Sequence, residues 1–175
     1  MRHWPRRLRG RLWDVLAVIV IVLIAYKLLV VPLSLPPRDA RPAPDISLVS
    51  LQARQFTLRE YRGRVVFLDF WASWCQPCKT SLPMVERFAR THRNVHIEAI
   101  DVGEPRPVAA QFASAYDLQH VALDPDHLAA NWFGVDGFPT MIVVDTKGMI
   151  RAKWVGFNPA IQLMMAHAEA ALAVN

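Results

Sequence analysis

An α/β domain, built as a central mixed β-sheet with helices on both faces and preceded by a single N-terminal transmembrane helix, is the architecture that three observations predict. Val65-Val66-Phe67-Leu68-Asp69-Phe70 is an apolar, β-branched run of the length of a buried strand. Directly beyond it, Leu82, Val85, Phe88 and Ala89 recur at helical spacing. Near the start of the chain, Arg2, Arg6, Arg7, Arg9 and Arg11 precede the apolar run Val15–Tyr26, which continues after Lys27 through Leu28-Leu29-Val30-Val31.

The junction of the strand with the following helix reads Trp74-Cys75-Gln76-Pro77-Cys78-Lys79 and holds the chain's only two cysteines. At a helix N-terminus the unpaired N–H groups and the macrodipole favour a thiolate over a thiol. Cys75, the outer of the pair, is the expected nucleophile, and Cys78, expected one turn into the helix, the resolving thiol. A small structural disulfide or half of a zinc site is the plainer alternative. Zinc usually takes four ligands, and no further cysteine exists. A C-x-x-C set inside a βαβ pattern reads instead as a redox pair.

The 175 residues suffice for one domain plus an appendage. The apolar appendage reaches about 25 Å as a helix, just enough for a hydrocarbon core, and Lys27 near its end can snorkel to the interface. Residues 1–35 carry a net charge of +5, the whole formal charge of the protein, and residues 36–175 carry none. The basic character therefore speaks for membrane orientation and not for nucleic acid. The arginines are expected on the cytoplasmic side of a bacterial-type inner membrane, with one span and the C-terminal domain facing the periplasm. A cleaved signal peptide would carry a shorter apolar core followed by a small-x-small site, which Tyr26–Leu33 lacks. The expected division is a cytoplasmic basic segment 1–12, a signal-anchor 13–31, a proline-rich spacer 32–44 and a domain 45–175.

In the domain, Ile46–Leu51 alternates weakly as a strand, and Phe56–Gly63 looks like a short turn or helix leading into the main strand. Asp69 sits in the middle of that strand. If buried, it is costly to ionise and its pKa should rise. Lying six residues before Cys75, it is placed to reach toward Cys78 and take its proton during resolution. An outward-pointing Asp on a half-exposed strand is the other possibility. A helix from about Gln76 to Thr91 should be kinked by Pro83. Val95–Asp101 alternates apolar and polar, which predicts a strand with one buried face. Pro105–Tyr116 reads as a helix with Val108, Phe112 and Ala115 on its core side, and a short helix is expected through Leu128, Trp132 and Phe133. Met141–Asp145 and Met149–Val155 are strands around the turn Thr146-Lys147-Gly148. Asn158-Pro159 reads as N-cap and first helical residue of a last helix with Ile161, Met164, Met165, Ala168 and Leu172 inward. Four or five strands result. Pro139 at the start of a strand is ordinary if trans; a cis bond would turn the Phe138 backbone outward to pair with an extended peptide.

With Trp74-Cys75-Gln76-Pro77-Cys78, Arg62–Cys75, Ala43-Pro44-Asp45-Ile46, Leu123-Asp124-Pro125-Asp126 and Gly137-Phe138-Pro139-Thr140 in view, the chain resembles a membrane-anchored thioredoxin-like protein of the TlpA/ResA type over about residues 43–157. The resemblance implies a thioredoxin-like fold, an attacking Cys75, a buried resolving Cys78 and a cis-proline at Pro139 lying against the disulfide. It places Asp69 where thioredoxin has its buried aspartate, and Trp71 and Trp74 where an aromatic pair flanks the site. Trp74, Gln76, Pro77 and Phe138 become candidate substrate contacts. Gln76 departs from the glycine of thioredoxin's C-G-P-C, and Ser81 stands where ResA-like reductants of cytochrome c maturation carry a glutamate.

The expected function is thiol–disulfide exchange on extracytoplasmic protein substrates by a membrane-tethered disulfide reductase, with no cofactor beyond the redox-active disulfide Cys75–Cys78 and no resident metal. An oxidising compartment demands an electron supply, for which a membrane thiol-disulfide reductase is the expected partner. A disulfide-donating oxidase runs the same chemistry backwards. A Cu(I)-binding metallochaperone-like module of the same fold is a further alternative, although its C-x-x-x-C spacing is one residue longer. A thiol peroxidase would need a T-x-x-C setting that Ser73-Trp74-Cys75 does not fit.

Overall fold

Two compact units divide the chain, Met1–Ser34 and Leu35–Asn175. The computed structural model describes residues 6–29 and 41–173, with side chains in the first stretch over 13–26. The first unit contains helix α1 (Arg6–Leu29). Its described side chains are almost all apolar, and Val15, Val18, Ile21 and Ile24 are as exposed as Leu16, Val20 and Leu23. The apolar surface therefore runs all round the helix rather than along one stripe. No helix is long and apolar enough over its described residues to cross a membrane. The last positions of the expected anchor and the spacer up to residue 40 lie outside the described residues.

The second unit is a mixed sheet of β1 (Ser47–Ser50), β2 (Gln55–Thr57), β3 (Val65–Trp71), β4 (Val95–Val102), β5 (Val121–Asp124), β6 (Thr140–Val144) and β7 (Ile150–Val155). The seven strands lie in the order β2-β1-β5-β4-β3-β6-β7, with β3, β4 and β5 parallel. Helices α2 (Cys78–Thr91), α3 (Arg106–Ala115), α4 (Leu128–Phe133) and α5 (Ile161–Leu172) complete it. Strand β3 is buried at every position. Its even residues Val66, Leu68 and Phe70 join the core under α4, while Val65 and Phe67 pack beneath α2 and α5. Trp71 packs with the start of α2 and with Phe112 of α3.

Several expectations change. The sheet has two more strands than expected, β2 and β5, each too short to carry a period of its own. Phe56 belongs to β2, and only Leu58–Tyr61 forms a 3-10 turn. Strand β4 is buried on both faces, because its polar residues are covered: His96 bonds Glu98 at 2.9 Å and stacks on Tyr61 at 3.7 Å. Helix α3 buries Ala109, Phe112 and Ala113 and leaves Val108 and Ala115 exposed. Helix α5 begins at Ile161, not Pro159, since Asn158 spends its side chain on a turn, accepting from the Ala160 amide at 2.8 Å. Its inward face is the expected one. Packing of the domain also starts earlier than residue 45: Ala43 is buried, and its amide donates to Gly148 at 2.9 Å.

Asp124 ends β5 and is fully buried, its two oxygens accepting from the amides of Ala129 (3.1 Å) and Ala130 (2.9 Å). Helix α4 has no cap of its own, so this carboxylate satisfies its first free donors. Asp124→Ala should lower the unfolding free energy in urea by about 3 kcal/mol, the scale of losing two hydrogen bonds to a buried charged group. A change below about 0.5 kcal/mol, the size of an ordinary surface substitution, would contradict this account.

Candidate active site

The pole of the sheet at the carboxyl end of β3 carries the cysteine pair. After Trp71 the chain turns once, with the Cys75 amide donating to Ala72 at 3.0 Å. Gln76 precedes a proline and is steered out of helical conformation, and Pro77 (φ −63°) caps α2. Cys78 is therefore the first helical residue rather than one turn in. Its own amide reaches back to the Cys75 sulfur at 3.2 Å. The two sulfurs are joined in a disulfide of 2.02 Å. Cys78 is completely buried, Cys75 is 3% exposed, and Trp74 beside them is 69% exposed. Gln76 and Pro77 are also exposed. The Ser81 hydroxyl, four residues beyond the chain's turn, donates to the Cys78 carbonyl at 3.4 Å within the first turn of α2.

The segment before β6 comes to the same place. The Phe138–Pro139 bond is cis. Pro139 is buried, and Phe138, half-buried, packs on the cluster that contains Cys75, Cys78 and Trp71. The Phe138 ring meets Trp74 edge-on at 5.6 Å. Among the described residues, the Phe138 backbone has no hydrogen-bond partner, whereas the Pro139 carbonyl accepts from Gly156 at 2.8 Å. The sequence thus brings together Cys75, Cys78, Trp74, Gln76, Pro77, Phe138 and Pro139. Of the aromatic pair only Trp74 lines the surface; Trp71 is fully buried and stacks on Phe112 at 4.6 Å.

Asp69 is 1% exposed and points to the face that carries α2, between Phe67 and Trp71 in the alternation of β3. Its Oδ2 has no hydrogen-bond partner, and burial pushes its pKa up to about 7. The outward-pointing alternative is thereby removed.

Two acids that the sequence reading passed over stand at the same pole. Asp101 is paired with Trp71 across the β3–β4 ladder and is fully buried, its carboxyl close to that of Glu104. Burial, and after it the neighbouring Glu104, raise its pKa to about 8. Glu104, buried just beyond β4, accepts from the Ser73 amide at 2.5 Å and the Ser73 hydroxyl at 2.6 Å. A signal for both existed: parallel strands end at the same pole. An Asp-Val-Gly-Glu run closing the strand next to the cysteine strand falls there.

The AhpC/TSA family model matches residues 40–153. Thiol-disulfide oxidoreductase ResA of Geobacillus thermodenitrificans is 34% identical over 112 residues, which are 62% of this chain and 64% of that relative. The chain thus spans just under two thirds of the length of the first such relatives. Thioredoxin-like protein YneN of Bacillus subtilis is 29% identical, over 68% of this chain and 72% of its own. The crystal structure of a candidate thiol:disulfide interchange protein DsbE from Chlorobium tepidum superposes with a TM-score of 0.72 at 29% identity, covering 78% of this chain and 98% of that one. The fold is thioredoxin-like.

Burial of Asp69 makes stability depend on pH. Its folded pKa lies near 7, above the ordinary 3.8. Its contribution is therefore whole below about pH 4 and is lost as pH rises through 7. Asp69→Asn removes that loss. Relative to wild type, the variant should gain up to roughly 4 kcal/mol in urea unfolding between pH 4 and pH 8. A difference between the two proteins that does not change with pH would contradict the assignment.

Proposed function

The chain belongs to the AhpC/TSA family, and from that premise we propose that it exchanges thiols and disulfides with protein substrates as a membrane-tethered disulfide reductase. The observation that carries this reading is the Cys78 amide directed at the Cys75 sulfur at the first residue of α2. An N–H donor and the positive end of a helix stabilise a thiolate there, and the thiolate is the nucleophile. The relatives named thiol-disulfide oxidoreductase support the same chemistry.

In the reducing direction, the Cys75 thiolate attacks one sulfur of a substrate disulfide. A mixed disulfide forms, and the other substrate sulfur leaves as a thiolate. Cys78 then gives its proton to the Asp69 carboxylate and attacks the Cys75 sulfur. The second substrate thiolate departs, and Cys75–Cys78 is left oxidised, two electrons having passed to the substrate. A carboxyl with a pKa near 7 is half ionised at neutral pH and can both take and return that proton. Exposed Trp74, Gln76 and Pro77 and the unpaired Phe138 backbone offer a surface for an extended peptide beside the sulfurs.

The tether is α1. Its apolar surface on every side suits a lipid surround, and the arginines at and before its start favour a cytoplasmic N-terminus with the domain outside. Returning the disulfide to dithiol takes two electrons and two protons, which a membrane thiol-disulfide reductase would supply.

Single-turnover mixing of the reduced protein with a disulfide-bonded peptide tests the scheme. Cys75→Ser should abolish reaction, and Cys78→Ala should stop at a stable adduct on Cys75. Asp69→Asn should slow resolution by about 10²-fold, the scale of a general base, and leave the first attack within a factor of two. Equal slowing of both steps, or of neither, removes Asp69 from the mechanism. For the tether, the full chain should stay in the membrane pellet after alkaline extraction, with the domain open to protease from the periplasmic side; release into the supernatant would overturn that part.

A further inference from the structure

We propose that Glu104 is a positioning residue for the Cys75 turn: it holds Ser73 from across the sheet and so fixes the path of the chain into α2. This rests on Cys75 being the nucleophile. The grip is direct, since both carboxylate oxygens are engaged, one by the Ser73 amide at 2.5 Å and one by its hydroxyl at 2.6 Å. Such hydrogen bonds to a charged acceptor are among the stronger ones in proteins. Ser73 is two residues before Cys75 and is followed by the one-turn bend that the Cys75 amide closes onto Ala72. Fixing Ser73 therefore fixes the geometry in which the Cys78 amide meets the Cys75 sulfur.

The chain around Glu104 is shaped for this reach. Gly103 has φ +76°, and a Cβ there would stand 2.5 Å from the His127 imidazole. Only glycine makes that turn between β4 and Glu104 without strain. Pro105, next along, caps α3, whose Phe112 stacks on Trp71. Ser73 and Trp71, on either side of Ala72, are thus braced by the same short stretch of chain. Asp101 stands beside Glu104, and burial raises its pKa to about 8.

Two roles for Glu104 predict opposite signs. A carboxylate acting only through its charge would raise the Cys75 thiol pKa, so removing it would lower that pKa. A carboxylate acting through its grip supports the Cys78 donor, so losing the grip raises it. The experiment uses the reduced full-length chain in detergent, with the rate of iodoacetamide alkylation at Cys75 followed against pH by mass spectrometry. Glu104→Ala should raise the Cys75 thiol pKa by about one pH unit and, from a wild-type value near 7, slow alkylation at pH 7 by about fivefold. Glu104→Gln, whose amide can accept from the Ser73 amide and donate to its hydroxyl, should stay within twofold of wild type. Ser73→Ala, which gives up one of the two bonds and no charge, should fall between them. Lowering of the pKa in both Glu104 variants overturns the proposal, as does an unchanged pKa in Glu104→Ala. If Glu104→Ala does not fold, a lowered pKa in Glu104→Gln together with an unchanged Ser73→Ala overturns it equally. Failure of the wild type to reduce any disulfide peptide would sink the exchange reading alone, because alkylation still reports the grip.

Discussion

The Cys78 amide donating to the Cys75 sulfur exists because a strand and a helix meet within six residues at one pole of the sheet. Strand β3 is packed on both faces and cannot shift its register without exposing a whole set of large side chains. Pro77 fixes where α2 begins, and Gln76, held before a proline, cannot extend the helix toward the strand. With both ends pinned, the first free amides of the helix have one direction to point. The chemistry proposed for the pair follows from this placement more than from the identity of the residues between the cysteines.

Around that amide the structure gathers acids where burial is greatest. Asp69 and Asp101 are both raised by burial, to about 7 and about 8, and Oδ2 of Asp69 has no hydrogen-bond partner. Buried carboxyls without partners reduce stability, and such groups concentrate where protons must be held and passed on. The division of labour is geometric. Asp69 lies beneath α2 on the strand that leads to the cysteines, while Glu104 grips the turn from the neighbouring strand. Trp71 is fully buried and stacked on Phe112, so of the two tryptophans only Trp74 is exposed.

What was legible in the sequence was local. The run Val65–Phe70, the spacing of Leu82, Val85 and Phe88, and the inward face of α5 each declare themselves through a period that neighbouring residues repeat. The cysteine pair was legible for the same reason, since strand, turn and helix are consecutive. Features set by distant chain were not. Three-residue β2 and four-residue β5 become strands only by pairing with β1 and β4. The polar alternation of β4 suggests a wet face until Tyr61 and Phe56 cover His96. The inward face of α3 is chosen by Trp71 and the cysteine helix it packs on, which puts Ala109 inside in place of Val108. Glu104 is thirty-one residues from Ser73 in sequence, and only the parallel pairing of β3 with β4 brings them to one pole.

The most direct test of the central claim is the pKa of the Cys75 thiol in the reduced wild-type protein, read from thiolate absorbance near 240 nm against pH with Cys78→Ala as the reference for assignment. The helix amide and the fixed turn predict a value well below the ordinary thiol pKa of about 8.5, near or under 7. A value at or above about 8.5 would mean that the amide does not stabilise the thiolate, and the site would have to be read as a structural disulfide.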